Sequence, residues 1–131
     1  MGFLEPYRPQ IYALTRMVVG FLFACHGAAK LFGLFGGPPG EMPPALLYTA
    51  GTIEFVGGVL VAVGFQTRLA AFLCSGQMAV AYFLFHQPGG FLPIQNDGEL
   101  AAIYSWTFLL LATIANNGVW SIDSGSDSAR A

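Results

Sequence analysis

The side chains in this sequence that could do chemistry are Arg16, His26, Lys30, Glu54, Gln77, His86 and Glu99. They lie within or at the edges of long apolar runs, which is what makes them conspicuous. An ionisable group in a hydrocarbon environment costs about 2.5 to 3.5 kcal/mol even on the lenient insertion scale, so each needs a partner or a task. Together two carboxylates, two imidazoles, an amide and two cations can exchange protons and hydrogen-bond a polar head. They match no soluble catalytic pattern: there is no Gly-rich phosphate loop, no His-Glu-x-x-His zinc helix and no Ser or Cys in a nucleophile elbow. Chemistry at such a site falls to a bound cofactor or a partner subunit.

The elements that carry these residues follow from composition. Of 131 residues, 55% are hydrophobic, 15% aromatic and 9% charged, with a mean hydropathy of +0.61, against about 25% charged in a soluble domain. Too few polar residues remain to clothe a globule, unless the solvent is lipid. A net charge of -2 without a basic run excludes nucleic acid as a partner. A transmembrane helix takes roughly 20 mostly apolar residues, and four windows of that kind stand between Pro, Gly or charged breakers: 11–34, 44–63, 68–85 and 98–115. Period-2 alternation is absent and four strands cannot close a barrel, so the expected fold is all-α, a membrane-embedded antiparallel four-helix bundle forming one domain over 1–131. The segment 87–97 is apolar for a loop and reads as an interfacial or re-entrant flap. Residues 121–131 read as a polar, mobile tail. Leu22-Phe23-Ala24-Cys25 resembles the end of a lipoprotein signal, but Phe23 is bulkier than a cleavage site accepts, so the first span is expected to stay. Cys25 and Cys74 fall at different depths and are expected as unpaired small residues.

At about 100° per residue, Arg16, His26 and Lys30 fall within an arc of roughly 80° on the first span, a stripe that Gly20, Phe23 and Gly27 continue. Small residues let helices approach closely, so this face is expected to look inward. Glu54 lies near the middle of the second span among Gly51, Gly57 and Gly58. Either it pairs with a cation of the first helix or it keeps its proton; Lys30, His26 and Arg16 are the available partners, with His26 nearest in depth. Gln77 falls at a similar depth on the third span. His86, Asp97 and Glu99 gather with Lys30 at the outward end. With Phe21, Phe23, Phe32, Phe55, Phe83 and Phe85 around it, this constellation suggests a polar-headed, aromatic-walled cavity for an amphiphile, of which a quinone is the obvious membrane example. Two other readings stand beside it. Arg16 and Glu54 could serve helix register alone, and His26 and His86 could be ordinary hydrogen-bonding residues. Haem is disfavoured, since it needs two imidazoles face to face, and no metal-ligand spacing occurs.

The order Arg16-x-x-x-Gly20-x-x-Phe23-x-x-x-Gly27-x-x-Lys30, then Glu54-x-x-Gly57-Gly58, Gly64-x-x-Thr67-Arg68, Glu99 and Ser121-Ile122-Asp123 resembles the DoxX family of small four-helix membrane proteins. The resemblance implies a membrane subunit accompanying an oxidoreductase, quinone-linked or thiol-redox, with Arg16, Lys30, Glu54 and Glu99 at the family's recurrent polar positions. The leading expectation is therefore a subunit of a redox assembly offering a quinone-type site, with a lipid bilayer and partner subunits or further copies of itself as neighbours. The alternatives are a structural or assembly subunit and a small oligomeric transporter. Arg8, Arg68 and Arg130 share one side of a four-span topology, which places both termini in the cytoplasm of a cell inner membrane by the positive-inside rule. A reporter fused after Ala131 should be active in the cytoplasm; activity confined to the other side would reverse this topology.

Overall fold

A computed structural model describes residues 2–115 and 119–124 of the chain. Among these residues the structure is all helical, without strands. Its main elements are α1 (Arg8–Phe32), α2 (Pro44–Val63), α3 (Thr67–Ala81) and α4 (Glu99–Ile114), with short 3-10 turns at Gly2–Tyr7, Leu34–Gly36 and Gln87–Gly89. A π-helical turn, Tyr82–His86, extends α3. Three helical stretches, Gly2–Phe32, Pro44–Val63 and Thr67–Gly89, are long and apolar enough to cross a membrane, and α4 is a shorter apolar helix. At about 1.5 Å per residue, 16 residues give α4 a length of about 24 Å.

Local chemistry sets the boundaries. Proline stands in the first turn of α1 and of α2, where a missing N–H costs nothing. Both helices end at a left-handed glycine, Gly33 (φ 67°) and Gly64 (φ 72°). At Gly64 the closure is a complete Schellman motif: Phe65 N–H donates to Leu60 O (3.0 Å) and Gly64 N–H to Val61 O (3.2 Å). This turn reverses the chain within a few residues, so α3 starts beside the end of α2.

The helices meet in two ways. Between α1 and α2 it is backbone against backbone. A Cβ placed on Gly20 would lie 2.6 Å from Ala62 N and Gly58 O, one on Gly58 would lie 2.6 Å from Ala24 N and Gly20 O, and one on Gly27 would meet Gly51 O and the Phe55 backbone nitrogen. Elsewhere side chains fill the space. Phe23, Val61, Ala71, Cys74, Tyr104, Phe108 and Leu111 form the buried core. Phe23 of α1 meets α4 through rings, 5.0 Å from Tyr104 and 4.7 Å from Phe108. Ser75 and Ser105 exchange hydrogen bonds with each other's carbonyls, at 2.8 and 3.1 Å, joining α3 to α4. Most of the outer surface is apolar, including Val18, Phe21, Phe72, Ile103 and Trp106.

One segment departs from the sequence expectation of a polar tail from residue 121. Ser121 Oγ donates to Gly64 O (2.8 Å), and the Asp123 N–H donates to the same oxygen (3.0 Å). The carbonyl left open by the αL turn thus holds the chain beyond α4 in place. Residues 125–131, the rest of the expected tail, lie outside the described residues.

Two glycine substitutions test this architecture. Gly27→Leu forces α1 from α2 at backbone contacts that cannot yield, and should cost about 3 kcal/mol. Gly76→Ala, where a Cβ meets nothing within 4 Å, should leave stability unchanged or raise it by up to about 1 kcal/mol. Thermal unfolding of both variants in detergent checks the pair; equal losses would mean that α1 and α2 do not touch through their backbones.

Candidate functional site

The Glu54 carboxylate lies on the buried stripe of α2 with Ala50, Gly51, Gly57, Gly58 and Val61. Each of its oxygens has a partner from a different helix. Lys30 Nζ of α1 donates to Oε2 at 2.6 Å, and Gln77 Nε2 of α3 donates to Oε1 at 3.0 Å. The ion pair is sequestered, with side-chain exposures of 8% for Lys30 and 4% for Glu54. An isolated buried charge would be prohibitively expensive; here the cation and anion neutralise each other and the amide supplies the remaining donor.

Of the three cations open to Glu54, His26 lay nearest in depth by counting along the helices, and the structure pairs the carboxylate with Lys30 instead. Side chains in a helix lean toward its N-terminus, and the lysine stem spans more than a turn, so the ammonium reaches back to Glu54 from a residue set nearer the helix end. Gly51 makes the room: a Cβ there would meet the Lys30 Cβ and the Leu31 side chain at 3.0 Å. His26 falls at the edge of the buried stripe and is exposed. Its ring stands edge-on to Tyr104 at 5.9 Å, within electrostatic range of Lys30 and Glu54.

The other sequence candidates lie apart from this cluster. Arg16 is 1% exposed and pairs with no part of Glu54. Its Nη1 donates to Val61 O (2.8 Å) and Ala62 O (2.7 Å), and its Nη2 to Trp120 O (2.6 Å). Val61 is seven residues beyond Glu54, about 10 Å along α2. Arg16 therefore serves Ala62 O and adds a second donor to Val61 O at the end of α2, where a cation also suits the helix dipole. His86 Nδ1–H donates to Asn96 O (3.1 Å), and the ring stacks on Tyr82. Glu99 is exposed in the first turn of α4. The expected aromatic wall is also absent as a wall. Phe21, Phe32, Phe83 and Phe85 are exposed, Phe55 is half-buried against Phe32, and only Phe23 is core. Where the surroundings are apolar, an outward ring is no penalty and nothing drives it inward.

Residues missed from sequence complete the picture. Asn96 is buried and organises the 87–97 segment: its Nδ2 donates to Gly90 O (2.9 Å) and Tyr82 Oη (3.3 Å), and its Oδ1 accepts from Gly98 N (2.9 Å). Its place in a Gln-Asn-Asp-Gly turn was the available signal. Tyr104 carried none. The Oε1 of Gln77 is buried without a hydrogen-bond partner, so one strong acceptor beside the ion pair is open. Cys25 and Cys74 are free thiols, and among the described residues no group of His, Cys, Asp and Glu could hold a metal ion.

The arrangement can do two things. It can hold helix register, and it can offer an acceptor, a carboxylate and a nearby imidazole to a polar head. Removing one member of the pair separates its energetics. Glu54→Leu and Lys30→Met should each cost about 3 kcal/mol, and the Lys30→Met/Glu54→Leu double variant should recover most of it. Unfolding in detergent measures this; full additivity of the two single losses would show that the pair is not coupled.

The DoxX family profile matches residues 11–87. An uncharacterized protein of Haemophilus influenzae is 44% identical over 115 residues, covering 83% of this chain and 86% of its own. The inner membrane protein YqjF of Escherichia coli is 32% identical over 122 residues, covering 84% and 87%. The putative oxidoreductase CatD of Bacillus subtilis is 37% identical over 65 residues, 46% of this chain and 48% of its own. No solved structure matches.

Proposed function

This chain belongs to the DoxX family and is a membrane protein, and from that premise we propose that it is an inner-membrane subunit of a redox assembly that receives the head of a quinone-type amphiphile beside Glu54. In this reading four helices cross the bilayer as an antiparallel bundle with both termini in the cytoplasm, and α4 is accommodated by local thinning of the bilayer. A redox role is supported by the name of one relative, a putative oxidoreductase.

The observation that carries the proposal is the unsatisfied Gln77 Oε1 next to the Lys30–Glu54 pair, with exposed His26 at the edge of the same cluster. A buried acceptor without a donor loses about 1–3 kcal/mol unless something supplies one. A hydroxyl of a reduced quinone head is such a donor, and it brings a proton within reach of a carboxylate and an imidazole. The quinone supplies the redox chemistry when bound. The chain's residues hold the head, fix its charge environment and exclude water.

A structural subunit is the second reading, favoured by the pairing of both Glu54 oxygens. The two separate at His26, which is exposed and outside the core. His26→Ala and Gln77→Leu should each lower occupancy by decylubiquinone about tenfold, the weight of roughly one hydrogen bond to a charged or buried group, with His26→Ala leaving the unfolding temperature unchanged. Quinone extraction and binding by the purified protein measure this. Wild-type occupancy in both variants would sink the quinone site and leave the register role.

A further inference from the structure

At the opposite end of the molecule from Lys30, α3 and α4 leave an open groove of about 570 Å³ between them. Leu69 and Phe72 line it from α3 and Leu109 and Thr113 from α4, with Arg68 and Gln66 at its mouth. From Gln66 to Phe72 the lining descends about 9 Å along the helix. Polar groups are therefore at the top, where the helices end, and apolar ones below.

Arg68 is exposed and, among the described residues, commits only part of its guanidinium: Nη2 donates to Ala115 O at 2.7 Å, satisfying one of the orphan carbonyls at the end of α4. A guanidinium has five N–H donors in a planar fork, so donors remain for a second, anionic acceptor. Asp123, a carboxylate at this end, accepts from the Thr67 backbone N–H (3.5 Å). A cation with spare donors at the level where helices leave a bilayer, above an apolar slot running inward, has the shape and charge order of one ligand class. We infer that this groove binds an anionic phospholipid of the leaflet facing the chain's termini, its phosphate on Arg68 and one acyl chain against Leu69, Phe72 and Leu109. A basic site between helices at a membrane surface recognises lipid head groups in this way. The inference rests on the membrane placement of the chain and is independent of the quinone reading.

The test uses the full chain in mild detergent, titrated with phosphatidylglycerol or phosphatidylethanolamine of identical acyl chains and examined by native mass spectrometry. Wild type should retain phosphatidylglycerol about fivefold better, the factor for one cation at a membrane surface. Arg68→Gln should abolish the preference and Arg68→Lys should keep it. Thr113→Trp, which fills the groove from an exposed position and leaves Arg68 bonded, should lower occupancy by both lipids while the unfolding temperature holds. It also decides the matter if Arg68→Gln does not fold. Equal retention of the two lipids by wild type, or unchanged binding in Thr113→Trp, overturns the inference.

Discussion

A carboxylate buried on the second helix must be met by a cation and by a donor for its other oxygen, and three helices are arranged to do that for Glu54. Lys30 comes from α1 and Gln77 from α3. The lysine arrives only because Gly51 leaves room for its stem, and α1 lies close enough only because Gly20, Gly27 and Gly58 have no side chains. In apolar surroundings, burial gives helices little reason to prefer one another over lipid, so close approach and polar pairing must supply the specificity. Glycine contact and ion pair are thus two halves of one device. Changing either moves the other, because the backbones' separation fixes the 2.6 Å bond.

The other end of the molecule solves a different problem with the same residue types. Helix ends leave carbonyls without partners, and an apolar environment offers no water to serve them. Arg16 serves Val61 and Ala62 at the end of α2 and reaches Trp120, while Arg68 serves Ala115 at the end of α4. Gly64 O, turned outward by its αL conformation, takes Ser121 and Asp123. One set of cations and hydroxyls therefore ties the end of α2, the start of α3 and the chain after α4 into a single knot. Its chemistry is that of capping.

What could be read from the sequence divides along physical lines. Helix identity and most ends were legible because their causes are local: prolines at the starts of α1 and α2, Gly64 at the end of α2, apolar runs between. The end of α1 at Gly33 falls just short of the expected residue 34. The inward stripe of α1 and the central place of Glu54 were legible for the same reason, periodicity and position. Partner choice was not. Depth along an axis suggested His26, but reach depends on side-chain length and lean, which favoured Lys30. Arg16 shares its stripe with Lys30, yet 14 positions of helical rise carry it to the opposite end. Apart from Phe23, which shares the inward stripe of α1, the phenylalanines do not make the expected wall, because an apolar side chain beside lipid is content on either face. Tyr104 and the Ser75–Ser105 exchange depend on which helices become neighbours, and nothing in the chain's local pattern states that.

Neighbouring helices are not joined with equal firmness, and the difference bears on how a ligand could reach the buried cluster. α1 and α2 touch through backbone, and α3 and α4 exchange serine hydrogen bonds. α1 and α4 meet through rings: Phe23 with Tyr104 and Phe108, and His26 with Tyr104. Rings can rotate about their side-chain torsions without moving a helix, whereas backbone contact and a reciprocal hydrogen bond cannot open without separating the elements. Among the described residues, the contacts that join α1 to α4 are therefore of a different kind, side chain against side chain, and His26 is the exposed member of them. In the proposed function, a polar head approaching from this side would meet the exposed imidazole before the buried, paired carboxylate.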